Sequence, residues 1–100
     1  MIIYHIVTPE VWEKYKDENE YAAESLQTEN FIHCSYRHQL DDVLERYYKN
    51  RRRVLILHVN PHLLAAKLVA ERSTSGEVYP HIYGTINRRA IVGVEEKFTR

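Results

Sequence analysis

The order of the apolar segments constrains the fold of this chain most strongly. Residues 2–7 are an apolar run that predicts a strand buried on both faces, and a helix with an apolar stripe follows it. A second strand is predicted at 31–34, again followed by a helix. The remaining apolar runs are short and are separated by turn residues. Because this order departs from the regular alternation of α/β proteins, it predicts an α+β domain.

Both predicted helices have start signals. Thr8 can cap the first helix, and Pro9 suits its first turn. Ser35 is expected to cap the second helix. The apolar residues of that helix recur at spacings of three and four, at Leu40, Val43, Leu44, Tyr47 and Tyr48. Residues 20–30 show no clear period, so we expect a loop with short turns there.

Several strands are predicted in the second half of the chain. Residues 54–59 form a strongly apolar run, and residues 67–71 are expected to pair with it. Residues 72–77 have the most flexible composition and are a candidate active-site flap. Because proline cannot donate to a sheet ladder, Pro80 predicts a strand that breaks or lies at an edge. A last strand is expected at 91–94, followed by a frayed, charged end.

Length and charge restrict the function classes. One hundred residues suit one compact domain, spanning 1–100. Fourteen acidic and fourteen basic side chains cancel, so we expect no general nucleic-acid surface and a monomer or weak homodimer. A single cysteine, Cys34, cannot form an internal disulfide and suits a reducing cytoplasm. The first apolar run ends at Val7, too early for a secretory signal or a membrane span. The chain is therefore predicted to be cytoplasmic.

Three histidines, His5, His33 and His81, lie inside apolar runs. Burying an unpaired imidazole costs a few kcal/mol, so each ring needs a partner or a ligand. A single buried histidine is usually a satisfied core residue, whereas three together suggest a site. The flanking Tyr4, Tyr79 and Tyr83 are candidates to line a pocket or to pack at the edge of the core.

Other residues have two interpretations each. A helix start at Ser35 could bind phosphate as well as being capped. Cys34 is either a nucleophile or a small packing residue, and Glu71 is either a cleft carboxylate or a surface one. The three histidines could also hold a metal, although no HExxH or CxxC motif supports this.

Three motifs carry a resemblance to a known family. They are Ile-Tyr-His-Ile at 3–6, Phe-Ile-His-Cys-Ser at 31–35 and Pro-His-Ile-Tyr-Gly at 80–84. In this order they resemble the mostly bacterial domain-of-unknown-function family 952, over essentially the whole chain. That family resembles ADP-ribosyltransferases and RNA 2′-phosphotransferases in fold. The resemblance implies a strongly curved, split sheet with two main helices around a cleft for NAD or an ADP-ribose-like nucleotide.

The resemblance also implies roles for particular residues. His5 is similar to a strand histidine that contacts ribose, and His33 with Ser35 is similar to the motif that holds the nicotinamide side. His81 or Tyr83 falls near the third motif, where many transferases have a glutamate. This chain has none there, and an imidazole cannot supply the same negative charge to an oxocarbenium ion.

The expected function is therefore a histidine-lined nucleotide cleft. His5, His33 and His81 are the candidate catalytic residues, and Tyr4, Ser35 and Tyr83 the candidate cofactor-binding residues. Transfer or removal of an ADP-ribosyl or phosphate group is the reaction that this reading implies. The alternative is a non-catalytic binding or interaction module that keeps the cleft.

Overall fold

A computed structural model describes residues 1–99 of the chain. These residues form eight β-strands, three α-helices and three short 3-10 turns. In chain order the strands and helices are β1 (Ile3–Val7), α1 (Pro9–Tyr15), β2 (Glu20–Tyr21), α2 (Ser25–Glu29), β3 (Ile32–His33), α3 (Leu40–Tyr47), β4 (Arg53–Val59), β5 (Lys67–Arg72), β6 (Val78–Tyr83), β7 (Ile86–Asn87) and β8 (Ile91–Phe98). The predicted α+β class is confirmed.

The strands are divided among three sheets, and every strand pair is antiparallel. Their orders are β1-β4-β8, β2-β7 and β3-β6-β5. A single backbone bridge between Tyr4 and Ser35 links β1 to the segment after β3. The strong sheet curvature and the likeness to ADP-ribosyltransferases stay predictions.

Strand β1 is buried on both faces, as its sequence predicts. Because side chains alternate along a strand, its residues contribute to two separate clusters. Ile3 and Val7 join a core cluster that includes Trp12. Tyr4 and Ile6 join a second cluster under α3. β1 therefore ties both halves of the core together.

The two helix starts turn out differently. The hydroxyl of Thr8 accepts from the N–H of Val11 at 3.4 Å, which confirms this cap. The prediction for Ser35 is wrong, because its backbone N–H and C=O bond to Tyr4 at 2.7 and 2.9 Å. The helical segment starts later, with a 3-10 turn over Arg37–Gln39 that leads into α3. Ser35 is thus held in extended backbone by β1.

Four sequence predictions about strands and loops need correction. β5 pairs with β6 and not with β4, whose partners are β1 and β8. β8 does not fray after residue 94: it pairs with β4 through Phe98. Pro80 breaks nothing, because it lies inside the central strand β6, where its carbonyl accepts from Cys34 at 3.1 Å. Residues 20–30 contain β2 and α2 rather than a loop alone.

Within residues 1–99, no helix combines the length and apolar character needed to cross a membrane.

Candidate functional site

A cavity of about 460 Å³ lies beside the C-terminal half of α3. Arg46, Tyr47 and Tyr48 line it from the helix, and the Ser-Thr-Ser segment at 73–75 lines it from the turn between β5 and β6. The predicted flap therefore contributes to a cavity wall, while its motion stays a prediction. The turn is closed by a bond from the Ser73 N–H to the Glu77 carbonyl at 2.8 Å.

Three of the predicted site residues line this same cavity: His33, Ser35 and His81. They come from the end of β3 and from its neighbour β6, where His33 and His81 are direct cross-strand partners. Their rings meet edge to face, with centroids 5.4 Å apart. Sheet pairing therefore brings together residues that are 48 positions apart in the chain.

His81 has one ring nitrogen held and one free. Its Nδ1 lies 2.6 Å from Oε1 of Glu71, so Nδ1 carries the proton and donates it. The ring of Phe31 stacks on it at 4.0 Å and 16°. No group in residues 1–99 bonds to Nε2, and every fully buried side-chain polar atom there has a partner. Nε2 is therefore reached by solvent.

Glu71 acts as the anchor of His81. The hairpin of β5 and β6 sets Val69 opposite His81 and Glu71 opposite Tyr79, so Glu71 lies one diagonal step from His81. Its Oε1 also accepts from the hydroxyl of Tyr83 at 2.7 Å. These hydrogen bonds, first from Tyr83 and then from His81, lower the pKa of Glu71. The carboxylate is thus stabilised in its charged form.

His33 and His5 have different environments. The His33 side chain is exposed, and its Nε2 pairs with Glu29 at 3.1 Å. His5 is 7% exposed, and both of its nitrogens are used: Nδ1 donates to the His33 carbonyl at 2.6 Å, and Nε2 accepts from the Tyr21 hydroxyl at 2.8 Å. Burial lowers the pKa of His5 to about 4, so its ring is neutral near pH 7.

The remaining predicted site residues, His5, Tyr4 and Tyr83, do not line the cavity. Tyr4 is buried against α3, and its hydroxyl accepts from Arg37 at 3.2 Å. Tyr83 contacts Glu71 outside the cavity lining. Ser35 does line the cavity, and nothing in the described chain bonds to its hydroxyl. The catalytic role of His5 and the cofactor-binding roles of Tyr4 and Tyr83 stay predictions, and the position of His5 is that of a core residue.

A family profile described as "Protein of unknown function (DUF952)" matches residues 6–94. The chain belongs to the DUF952 family. A crystal structure of CC0527 from Caulobacter crescentus is similar, with a TM-score of 0.85 and 21% identity. The aligned region covers 96% of this chain and 85% of the CC0527 chain. The solution NMR structure of CC0527 gives a TM-score of 0.79 at 21% identity, over 97% and 83% of the two chains. No curated protein sequence is significantly similar.

Metal binding and cysteine chemistry are two alternatives to nucleotide binding in this DUF952 domain. In the part of the chain that the structure describes, no three His, Cys, Asp or Glu residues are placed to hold a metal ion. Cys34 lines the cavity but is 3% exposed, and burial raises the pKa of its thiol. The thiol therefore stays protonated near pH 7, which favours the packing interpretation over a nucleophile.

Sequence reasoning missed or undervalued three residues of the site. Phe31 lies within the second motif, where nothing in the sequence distinguishes it, although it stacks on His81. The sequence allows Glu71 a cleft or a surface role, and only the β5–β6 pairing places it beside His81. Arg46 could have been found from helical spacing, because it lies three residues after Val43 and both line the cavity.

Proposed function

We propose that the cavity binds a phosphorylated, ribose-containing nucleotide of the NAD or ADP-ribose class. One observation carries the proposal: the cavity combines a cationic guanidinium, three consecutive hydroxyl side chains and two histidines. Arg46 supplies the guanidinium and Ser73–Ser75 the hydroxyls, while His33 and His81 supply the rings. No carboxylate in residues 1–99 pairs with Arg46.

Each part of the cavity suits a part of such a ligand. Guanidinium and hydroxyl groups are good donors to phosphate oxygens, and Arg46 has no internal anion to satisfy it. Tyr47, Tyr48 and Tyr79 offer aromatic surface on which a base or nicotinamide ring can stack. The cavity volume of about 460 Å³ lies within the usual range of small-molecule sites.

The proposed reaction is transfer or removal of an ADP-ribosyl or phosphate group, as in the ADP-ribosyltransferases and RNA 2′-phosphotransferases that the family resembles. The residues we assign to it are His33, Ser35 and His81, because they share the cavity. A small molecule, rather than nucleic acid, is the proposed partner. A cytoplasmic location and a monomeric or weakly dimeric state remain part of this proposal.

Calorimetry and thermal unfolding with ADP-ribose and NAD test the binding. A ligand at one hundred times its dissociation constant should stabilise the domain by about 2.7 kcal/mol. Arg46→Ala should weaken binding about tenfold or more, because a charge-assisted bond to phosphate is lost. Arg52→Ala is the matched control, since Arg52 is an exposed arginine that does not line the cavity. No binding by the wild type, or equal binding by both variants, would overturn the proposal.

A binding module without catalysis is the second candidate function. The observation in its favour is the position of Glu71, whose Oε1 is occupied by His81 and Tyr83 and which does not line the cavity. The cavity therefore has no carboxylate to face a developing oxocarbenium ion. Turnover of NAD that disappears in a folded His81→Ala variant would rule this candidate out.

A further inference from the structure

We infer that Glu71 is a positioning residue that fixes His81 as a hydrogen-bond acceptor toward the cavity. The bound ligand then presents a neutral hydroxyl group to His81 and its phosphate to Arg46. This inference rests on the proposed function, because it assigns the orientation of a ligand in the same cavity.

The first step concerns the tautomer of His81. A carboxylate oxygen only accepts hydrogen bonds, so the Nδ1 atom 2.6 Å from Glu71 must carry the proton. In a neutral imidazole this leaves the lone pair on Nε2. The hydroxyl of Tyr83 donates to the same Glu71 oxygen and holds the carboxylate in place. The Glu71 carboxylate thereby selects one of the two neutral forms of His81.

The second step concerns the orientation of the ring. Phe31 covers one face of His81 at 4.0 Å, and the edge contact with His33 limits it further. His81 is only 8% exposed, so the ring cannot rotate without losing this packing. Glu71 occupies Nδ1 of His81, and Phe31 covers one face of the ring. Nε2 is the nitrogen that remains open, and His81 lines the cavity. The lone pair is therefore available to a ligand there.

The third step concerns what that lone pair can bind. Phosphate oxygens are acceptors and would repel it, whereas a hydroxyl donates to it. In a nucleotide, the ribose hydroxyls are the neutral donors nearest to the phosphates. His81 therefore selects for these hydroxyls, and the cation at Arg46 selects for phosphate.

His33 provides an internal contrast. It also pairs with a carboxylate, but its side chain is 54% exposed and its Nε2 is the atom that faces Glu29. Removal of Glu29 should therefore leave the protonation pattern of His81 unchanged. This makes Glu29→Ala a matched control for Glu71→Ala, since each variant deletes one carboxylate partner of one cavity histidine.

Long-range ¹H–¹⁵N NMR of the imidazoles at pH 8 tests the tautomer. Wild type and Glu29→Ala should show His81 protonated at Nδ1 alone. Glu71→Ala should shift His81 toward the form protonated at Nε2. A wild-type ring protonated at Nε2, or a ring unaffected by Glu71→Ala, would overturn the inference.

Binding of AMP, 2′-deoxy-AMP and 3′-deoxy-AMP tests the ligand assignment. The wild type should lose about tenfold in affinity for at least one deoxy form, and Glu71→Ala should show a smaller loss, because its His81 ring is no longer fixed as an acceptor. Equal binding of all three by the wild type would overturn this inference and leave the proposed function intact. If none of them binds, and ADP-ribose does not bind either, the proposed function fails and this inference with it.

Discussion

His5 and His81 are both more than nine-tenths buried, yet their surroundings lead to different chemistry. Neutral groups occupy both nitrogens of His5, a carbonyl at one and a tyrosine hydroxyl at the other. A carboxylate occupies one nitrogen of His81, and the other stays open beside a cavity. Burial alone therefore does not separate a histidine whose two nitrogens are both satisfied from one with a nitrogen open to a ligand.

The identity of the partners explains the difference. A carbonyl and a hydroxyl satisfy the ring without a charge, so His5 is kept neutral in the core and has no atom left for a ligand. A carboxylate at Nδ1 of His81 polarises the ring toward its free side, as in many histidines that act on ligands. The number of open nitrogens is the quantity that distinguishes the two positions.

Replacing His5 with alanine should produce the largest effect. The change opens a cavity and leaves the Tyr21 hydroxyl and the His33 carbonyl without their partner. We expect a loss of about 2–5 kcal/mol in the free energy of unfolding. At roughly 4–8 °C per kcal/mol, urea and thermal unfolding would resolve it easily. His33→Ala, at an exposed position, should cost far less, and equal losses would show that His5 is not a core residue.

The pH dependence of stability should also report on the burial of His5. Unfolded histidine titrates near pH 6.5, whereas burial lowers the pKa of His5 in the fold to about 4. Between these values the unfolded chain binds the extra proton, so stability falls as pH drops from about 6.5 toward 4. The gap corresponds to roughly 3 kcal/mol.

Urea unfolding of wild type and His5→Gln at several pH values isolates this contribution. The variant should lose the part of the slope that falls between pH 6.5 and 4, while the carboxylates contribute equally to both proteins. Parallel slopes in the two proteins would mean that the His5 ring already titrates normally in the fold.

Part of this comparison was accessible from the sequence, because it depends on local pattern. The apolar run of β1, the cap at Thr8 and the strength of β4 follow from periodicity and turn chemistry, and so does the α+β class. The placement of three histidines in apolar runs is also visible in the sequence. The difference between His5 and His81 cannot be predicted from the sequence, because it depends on which distant residues contact each ring.

The misses have the same origin. Ser35 has the composition of a helix cap, but the backbone of Tyr4 pairs with it from more than thirty positions away. Glu71 ends a predicted strand, which leaves it between a cleft and a surface position, and only the β5–β6 hairpin places it beside His81. Strand pairing is a nonlocal choice that a single sequence leaves open.

Removing the Tyr21 hydroxyl should lower the free energy of unfolding by an intermediate amount, because it removes a partner of the buried His5. Tyr21→Phe keeps the ring but leaves the buried Nε2 of His5 without a donor. We expect a cost of about 1–3 kcal/mol in thermal or urea unfolding. Tyr15→Phe is the control, because Tyr15 packs on the Tyr21 ring and its hydroxyl bonds to nothing in residues 1–99. Similar costs for both changes would indicate that packing, rather than the hydrogen bond, stabilises this part of the core.

The smallest effect is expected from Tyr83→Phe, which alters the carboxylate that pairs with His81. Loss of the Tyr83 hydroxyl removes the leading cause of the lowered pKa of Glu71, so that pKa should rise toward its ordinary value. A ¹³C NMR titration of the glutamate carboxyl groups would show the change. Tyr79→Phe is the control, because its hydroxyl donates to Glu77 instead and its loss should leave Glu71 unaffected.

The direction of this shift matters for His81. A higher pKa means that Glu71 takes up a proton at a higher pH as the solution is acidified. In Tyr83→Phe, the carboxylate that accepts from Nδ1 of His81 is therefore held less firmly in its charged form. If the pKa of Glu71 stays the same in the variant, His81 alone holds the carboxylate. The charged form of Glu71 would then depend on its hydrogen bond from His81 and not on the one from Tyr83.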